Sequence, residues 1–223
     1  VLVLVVDTST PAVTAGLVEV TDAGNQTRAV RVTINARAHG EVLAPNIAAM
    51  FDETGVRPSD LAAVVAGVGP GPFTGLRVGL VTAAAFGDAL GIPTYGVCSL
   101  DALGAAASGS GRVLVATDAR RREIYWAVYE AGVRVGEPAV DRPAEVAARV
   151  GAEVQYAVGD GAHKYADVLA VPVQQEPRYP PVSALAELAA DRILRRAPLE
   201  RLTPLYLRRP DATVPAGRKP VLQ

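Results

Sequence analysis

The chain opens on a continuous apolar, β-branched run, Val1 to Val6, which Asp7 stops. A run without polar alternation predicts a strand buried on both faces. Asp7-Thr8-Ser9-Thr10-Pro11 then breaks it with turn formers. Val13 to Val20 predicts a second strand, and Arg28 to Ile34 a third with partial alternation. The turn Thr21-Asp22-Ala23-Gly24-Asn25 joins them, so the start reads as three antiparallel strands. The period then changes. Leu43, Ile47, Met50 and Phe51 recur at helical spacing between about Glu41 and Thr54, and Gly55 supplies a stop. Pro45 sits early in that span, where the first turn tolerates it.

Leu61 to Val68 predicts another strand, followed by the dense turn Gly69-Pro70-Gly71-Pro72-Phe73-Thr74-Gly75. The next helix, about Leu76 to Leu90, is rich in small residues: Gly79, Ala83, Ala84, Ala85 and Gly87. Small side chains let a second helix approach closely. Thr94 to Cys98 predicts a strand, and Ser99 is expected to cap a short helix to about Ala107.

Ala107 to Gly111 reads as a linker, because small flexible residues cluster there and the pattern restarts after it. Arg112 to Thr117 is a strand ending in Asp118, much as the first ends in Asp7. Glu123 to Tyr129 and Val133 to Glu137 predict two more strands, Arg142 to Val150 a helix, and Gln155 to Val158 a strand. Val182 to Arg196 predicts a longer amphipathic helix. Strand, Asp, hairpin, then α/β elements thus occur twice, with no residue-level repeat. Pro204, Pro210, Pro215 and Pro220 predict an extended end.

Composition narrows the functions. The 223 residues are half hydrophobic and one-fifth charged, a globular balance with room for a real core. A formal charge of −1 argues against a whole-molecule basic face for nucleic acid or a polybasic membrane anchor. The apolar start is too short for a signal h-region or a membrane span, so a cytoplasmic, membrane-free protein is expected. Cys98 is the one cysteine, which excludes an internal disulfide and cysteine-based zinc sites. His39 and His163 are the two histidines, and they are not one helical turn apart.

Candidate chemistry sits in the turns. An Asp at the end of a central strand, followed by hydroxyls, suits a phosphate or Mg²⁺ site. The plainer reading, which the motif alone favours, is an Asx- or Ser/Thr-type turn. The Gly69 to Gly75 loop fits neither standard phosphate fingerprint: it lacks the Gly-Lys-Ser/Thr end and the third fixed glycine. Its prolines also remove N–H donors, so it reads as a rigid, close-packing loop. His39 reads as a cap or surface group, His163 as a turn residue, and Cys98 as a buried structural thiol. Glu123 and Tyr125 alternate on one strand face, over a polar pocket or a wet sheet face. Arg120-Arg121-Arg122 reads most simply as a solvated basic turn, with local use against RNA left open.

Several motifs stand together in order: Val5-Val6-Asp7-Thr8-Ser9-Thr10, then Gly69-Pro70-Gly71-Pro72-Phe73-Thr74-Gly75-Leu76-Arg77-Val78-Gly79, Asp118-Ala119-Arg120, Glu123-Ile124-Tyr125-Trp126 and Pro204-Leu205-Tyr206-Leu207-Arg208. Together they resemble the bacterial TsaB family of tRNA threonylcarbamoyladenosine biosynthesis proteins, formerly called YeaZ. The resemblance covers essentially the whole chain, and the glycine-proline loop with its continuation is its most specific part.

The resemblance implies an α/β, actin-like (ASKHA, sugar kinase/heat-shock protein 70 type) fold of two ribonuclease-H-like lobes with mixed sheets. The lobes would span 1–107, with partner-binding helices, and 108–203, with an extended tail at 204–223. It implies a role in forming the threonylcarbamoyl group on adenosine 37 of tRNAs that read codons starting with A. There the protein would partner a TsaD-type paralogue and a TsaE-type ATPase, meet tRNA only within that complex, and pair with itself when alone. TsaD-like proteins carry two metal-binding histidines one helical turn apart. This sequence has no such pair, so a non-catalytic activator with no metal is expected. Asp7, Thr8 and Asp118 would be a vestigial phosphate/Mg site, with at most weak ATP or ADP binding. The partner interface is expected at Leu43, Ile47, Met50, Leu76, Gly79, Ala83, Ala84 and Gly87. The alternative is an independent ATP-dependent small-molecule kinase of the actin-like superfamily.

Overall fold

The computed structural model describes residues 1–208 except Ser108 and Ser110. The expected tail from 209 onward, and part of the expected linker, lie outside the described residues.

The first sheet contains β1 (Leu2–Asp7), β2 (Ala12–Thr21), β3 (Gly24–Ile34), β4 (Leu61–Gly67) and β5 (Thr94–Val97). Their order is β3-β2-β1-β4-β5. β1 to β3 are antiparallel neighbours, while β4 and β5 add in parallel. The unbroken apolar run of β1 follows from its central place, since helices cover both faces. Leu4 and Val6 point at α1 (His39–Thr54) and α2 (Phe73–Leu90), where Leu43, Ile47, Met50, Leu76, Leu80 and Ala83 pack. Val3 and Val5 point the other way, at Leu185, Ala189 and Ile193 of a late helix, Val182–Leu194. Successive strand residues face opposite sides, so each needs its own helical cover.

The second sheet contains β6 (Arg112–Asp118), β7 (Ile124–Glu130), β8 (Val133–Asp141) and β9 (Tyr156–Val158), in the order β8-β7-β6-β9. It repeats the plan of the first: a central strand ending in Asp, antiparallel hairpin strands on one side, and a parallel strand on the other. One face carries α4 (Pro143–Val150), α5 (Asp160–Lys164) and α6 (Ala166–Leu169). The other carries α3 (Ser99–Ala106), whose Leu100 and Leu103 pack with Val113, Val115 and Tyr129. Two such sheets make an α/β, actin-like architecture of ribonuclease-H-like halves with mixed sheets.

The helices do not follow the expected boundaries at 107 and 203. α3 lies before residue 107 yet packs on the second sheet. The helix Val182–Leu194, here α7, lies after 108 yet packs on the first. The reason is geometric: each lobe must cover the inner face of its sheet, and it uses a helix from beyond the linker. Gly16 makes room for this, because a Cβ there would lie 2.9 Å from Val182.

After α7 the chain runs as an extended strap. Glu200 N donates to Thr94 O at 2.9 Å and Leu205 N to Val68 O at 2.8 Å, both in the first lobe. Arg208 Nη1 then donates to Ala119 O at 3.1 Å, and its guanidinium pairs with Glu123, both in the second. Over 204–208 the chain is extended, as Pro204 predicts, and the strap bridges the lobes.

Candidate functional site

The two Asp-ended strands place their turns differently. Asp7 is 1 % exposed, at the C-terminal end of β1. Its Oδ1 accepts hydrogen bonds from Ser9 N at 3.0 Å and Ser9 Oγ at 2.8 Å, and its Oδ2 from Ser99 Oγ at 2.6 Å. Ser99 Oγ also accepts from Gly69 N at 3.3 Å. The expected capping by Ser99 is therefore corrected: Cys98 is the N-cap of α3, and the Ser99 hydroxyl is drawn to the carboxylate instead. Burial pushes the Asp7 carboxyl up, while the hydrogen bonds from Ser99 and Ser9 work against that rise. Gly67 is required beside it, because a Cβ there would lie 1.8 Å from Oδ2.

Thr8 is equally engaged. Its hydroxyl donates to Gly75 O at 2.8 Å and accepts from Gly79 N at 2.9 Å, tying the turn to the start of α2. His39 opens α1, and its Nε2 lies 2.8 Å from Thr10 O, a carbonyl that can only accept, so the contact assigns the proton to Nε2. Asp118 has other partners: Lys164 Nζ at 2.8 Å and Arg120 N at 3.2 Å. Among the described residues Asp7 and Thr8 share no partner with Asp118. The oxygens expected to serve Mg²⁺ and phosphate are thus already paired within the chain. Tyr206 of the strap stacks on Phe73, with ring centroids 5.0 Å apart, and its hydroxyl accepts from Arg77 Nε at 3.0 Å. This packs the strap against the end of the glycine-proline loop. The residues present do not fit a bound Mg-nucleotide. Among the described residues no group of three or more His, Cys, Asp or Glu could hold a metal ion.

The expected interface residues need correction as well. Leu43, Ile47, Met50, Leu76, Gly79, Ala83 and Gly87 are buried in the chain's own core. Gly79 backs onto Thr8, and Gly87 onto Thr94, where a Cβ would lie 2.6 Å from the threonine methyl. The small residues therefore bring α2 close to its own sheet. Of the eight, Ala84 alone is exposed. The surface that remains open is the opposite side of the same helices. On α2 it holds Thr74, Val81, Ala85 and Ala89, and on α1 Ala44 and Ala48. Phe51 and Phe86 close the seam between the helices, with centroids 6.4 Å apart.

α2 is apolar overall: its mean hydropathy is 1.2 and only 28 % of it is buried, with Arg77 and Asp88 exposed on its outer side. By length and composition it could cross a membrane, but its inner face packs on the first sheet as a core helix does. A groove of about 1270 Å³ runs along its edge, between Val81, Ala84 and Asp88 and the strap's Leu199 and Leu202. The sequence reading missed the outer stripe because apolar periodicity marks the core face first. The signal was the second set of small and apolar residues, at 81, 85 and 89, out of phase with the first.

Comparison with known proteins agrees with this architecture. A family model described as TsaD, tRNA N6-adenosine threonylcarbamoyltransferase, matches residues 29–215. YeaZ from Pseudomonas aeruginosa superposes with a TM-score of 0.74 at 29 % identity, covering 92 % of this chain and 99 % of that one. The chain belongs to this TsaD-type family and is similar to TsaB (YeaZ) proteins. An uncharacterized protein of Mycobacterium tuberculosis is 49 % identical over 94 % of this chain and 93 % of its own length. The TsaB protein of Escherichia coli, named for tRNA threonylcarbamoyladenosine biosynthesis, is 35 % identical over 44 % of this chain and 46 % of its own.

The turn after Asp118 differs from the one after Asp7 in its backbone. Arg120, Arg121 and Arg122 join β6 to β7, and their φ angles are 63°, 53° and 63°. Three successive left-handed L-residues cost roughly 1–2 kcal/mol each. Beside them Asp160 is 7 % exposed and accepts from Asp118 N at 3.3 Å. Burial pushes its carboxyl up to about 6, helped by the Asp118 charge and opposed by the backbone hydrogen bond.

Proposed function

We propose that this TsaB-family chain is a non-catalytic partner of a TsaD-type protein. Together with a TsaE-type ATPase, the pair would form the threonylcarbamoyl group on adenosine 37 of tRNAs reading ANN codons. The carrying observation is the unpartnered small and apolar stripe of α2, Thr74, Val81, Ala84, Ala85 and Ala89, flanked by Ala44 and Ala48 of α1. Two such helices from each of two related chains can form a four-helix contact, with alanines allowing close approach. The names of the TsaB relatives support the tRNA-modification context. The same stripe gives an isologous homodimer when the chain is alone. In this reading the protein works in the cytoplasm, and tRNA meets it within the complex.

The alternative, an independent kinase, draws no support from Asp7, Thr8 or Asp118, whose oxygens are already engaged. The test purifies the chain alone and with TsaD- and TsaE-type proteins, then follows threonylcarbamoyl transfer to tRNA. Transfer is expected only from the mixture, and transfer by this chain alone would sink the proposal. Ala84→Arg places a long cation on the open face without touching the core. It is expected to abolish co-elution with the TsaD-type partner, and an unchanged elution profile would remove the helix-face interface.

A further inference from the structure

We infer that the turn Arg120–Arg122 is a contact site for the phosphate backbone of RNA, built into the second lobe. All three arginines are exposed. The turn is clamped at both ends: Ala119 N donates to Glu123 O and Glu123 N to Arg120 O, each at 3.0 Å. Its two flanking acids are neutralised from outside the turn. Lys164 of α5 holds Asp118 at 2.8 Å, and Arg208 of the strap holds Glu123. Among the described residues Arg120 and Arg122 form no ion pair, so their charge stays uncompensated. A further cation, Arg178, lies close enough to act on Asp160.

The backbone sharpens the point. At φ near +60° asparagine or glycine would be at ease, whereas arginine is strained. The chain therefore carries side-chain chemistry at these positions that the turn itself does not need. A planar guanidinium binds phosphate through paired N–H donors. Adjacent exposed guanidinium groups on a solvent-facing turn suit the repeating phosphates of a polyanion. The inference rests on the proposed function only in taking that polyanion to be tRNA.

The test uses the full chain and a fluorescein-labelled, unmodified tRNA transcript, read by anisotropy across a salt series. Arg120→Asn/Arg122→Asn removes two charges while relieving the left-handed strain, so the variant should melt no lower than the parent. Its affinity is expected to fall about tenfold near 0.1 M salt, and its log K against log[salt] slope to shrink by about 1.5. Arg120→Lys/Arg122→Lys keeps the charge and the strain, and should retain most of the slope. Equal affinity and slope in the asparagine variant would overturn the inference, as would no measurable binding by the parent at low salt. A one-to-one complex with sodium tripolyphosphate or ATP, lost in the same variant, would replace RNA with a free nucleotide as the ligand. Co-elution with the TsaD-type partner is measured on the same samples. If the asparagine variant loses that instead of RNA binding, the turn is a protein contact and the RNA assignment falls. If Ala84→Arg loses the partner while RNA binding stays, the two proposals are separated.

Discussion

Asp7 and Asp118 occupy the same place in two copies of one plan, each ending the central strand of its sheet and leading into an antiparallel hairpin. Their surroundings differ in nearly every other respect. Asp7 is sealed, with both oxygens bonded to Ser9 and Ser99 and with Gly67 against it. Its turn joins β1 to α3 and, through Thr8, to α2. Asp118 has a side chain 10 % exposed, paired with a lysine whose own side chain is 50 % exposed, and it leads into three arginines in solvent. The topology supplies a position near the junction of the lobes. The neighbours decide whether that position becomes a core pin or a charged surface.

The largest effect should come from breaking the pin. Asp7→Ala leaves Ser9 N, Ser9 Oγ and Ser99 Oγ buried without an acceptor. Each orphaned donor costs on the order of 1–3 kcal/mol, and the group acts as a network, so a loss of about 4 kcal/mol is expected. Urea unfolding of parent and variant measures it. A variant within 1 kcal/mol of the parent would mean that the network is dispensable and that Asp7 is held for another purpose.

This contrast also shows what the sequence could reveal. Unbroken β-branched runs and Gly or Pro stops were enough to order the strands, because a strand buried on both faces has a composition of its own. Even the doubled strand-Asp-hairpin plan was visible. The partners of Asp7 were not, because Ser99 lies ninety-two positions away and a hydroxyl near a helix start looks like a cap. The interface residues were misassigned for a related reason. In a helix as apolar as α2, spacing picks out an inward and an outward stripe alike, and only the sheet tells them apart. Nothing in Arg120-Arg121-Arg122 signals left-handed backbone, since glycine and asparagine are the residues that normally announce it.

The next effect in size is a pH dependence centred on the second turn. The Asp160 carboxyl stands at about 6 in the folded chain against 3.8 as a free group, chiefly through burial. Between those values the folded state keeps a proton that the unfolded state has released. The stabilisation is complete below about pH 4, falls as pH rises through 6, and is flat above that. The shift corresponds to about 3 kcal/mol as an order of magnitude. Asp160→Asn cannot titrate, so the stability gap between parent and variant should close or reverse from pH 4 to pH 7. A constant gap in urea unfolding across that range would show that burial of Asp160 is not what the second turn depends on.

The smallest effect is expected where the topology alone would predict the largest, at Asp118. Asp118→Ala removes the pair with Lys164 and the acceptor for Arg120 N, but both partners reach water. A pair whose lysine is half-exposed contributes roughly 0–1 kcal/mol, and solvent replaces the hydrogen bonds lost by Lys164 and Arg120. Urea unfolding should therefore place Asp118→Ala within about 1 kcal/mol of the parent, several-fold less affected than Asp7→Ala. The variant should also hold RNA more tightly, because it deletes the acid nearest to Arg120 and frees Lys164. A loss of stability matching that of Asp7→Ala would mean that the two turns are equivalent pins, and that the charged character of the second is incidental to its structural work.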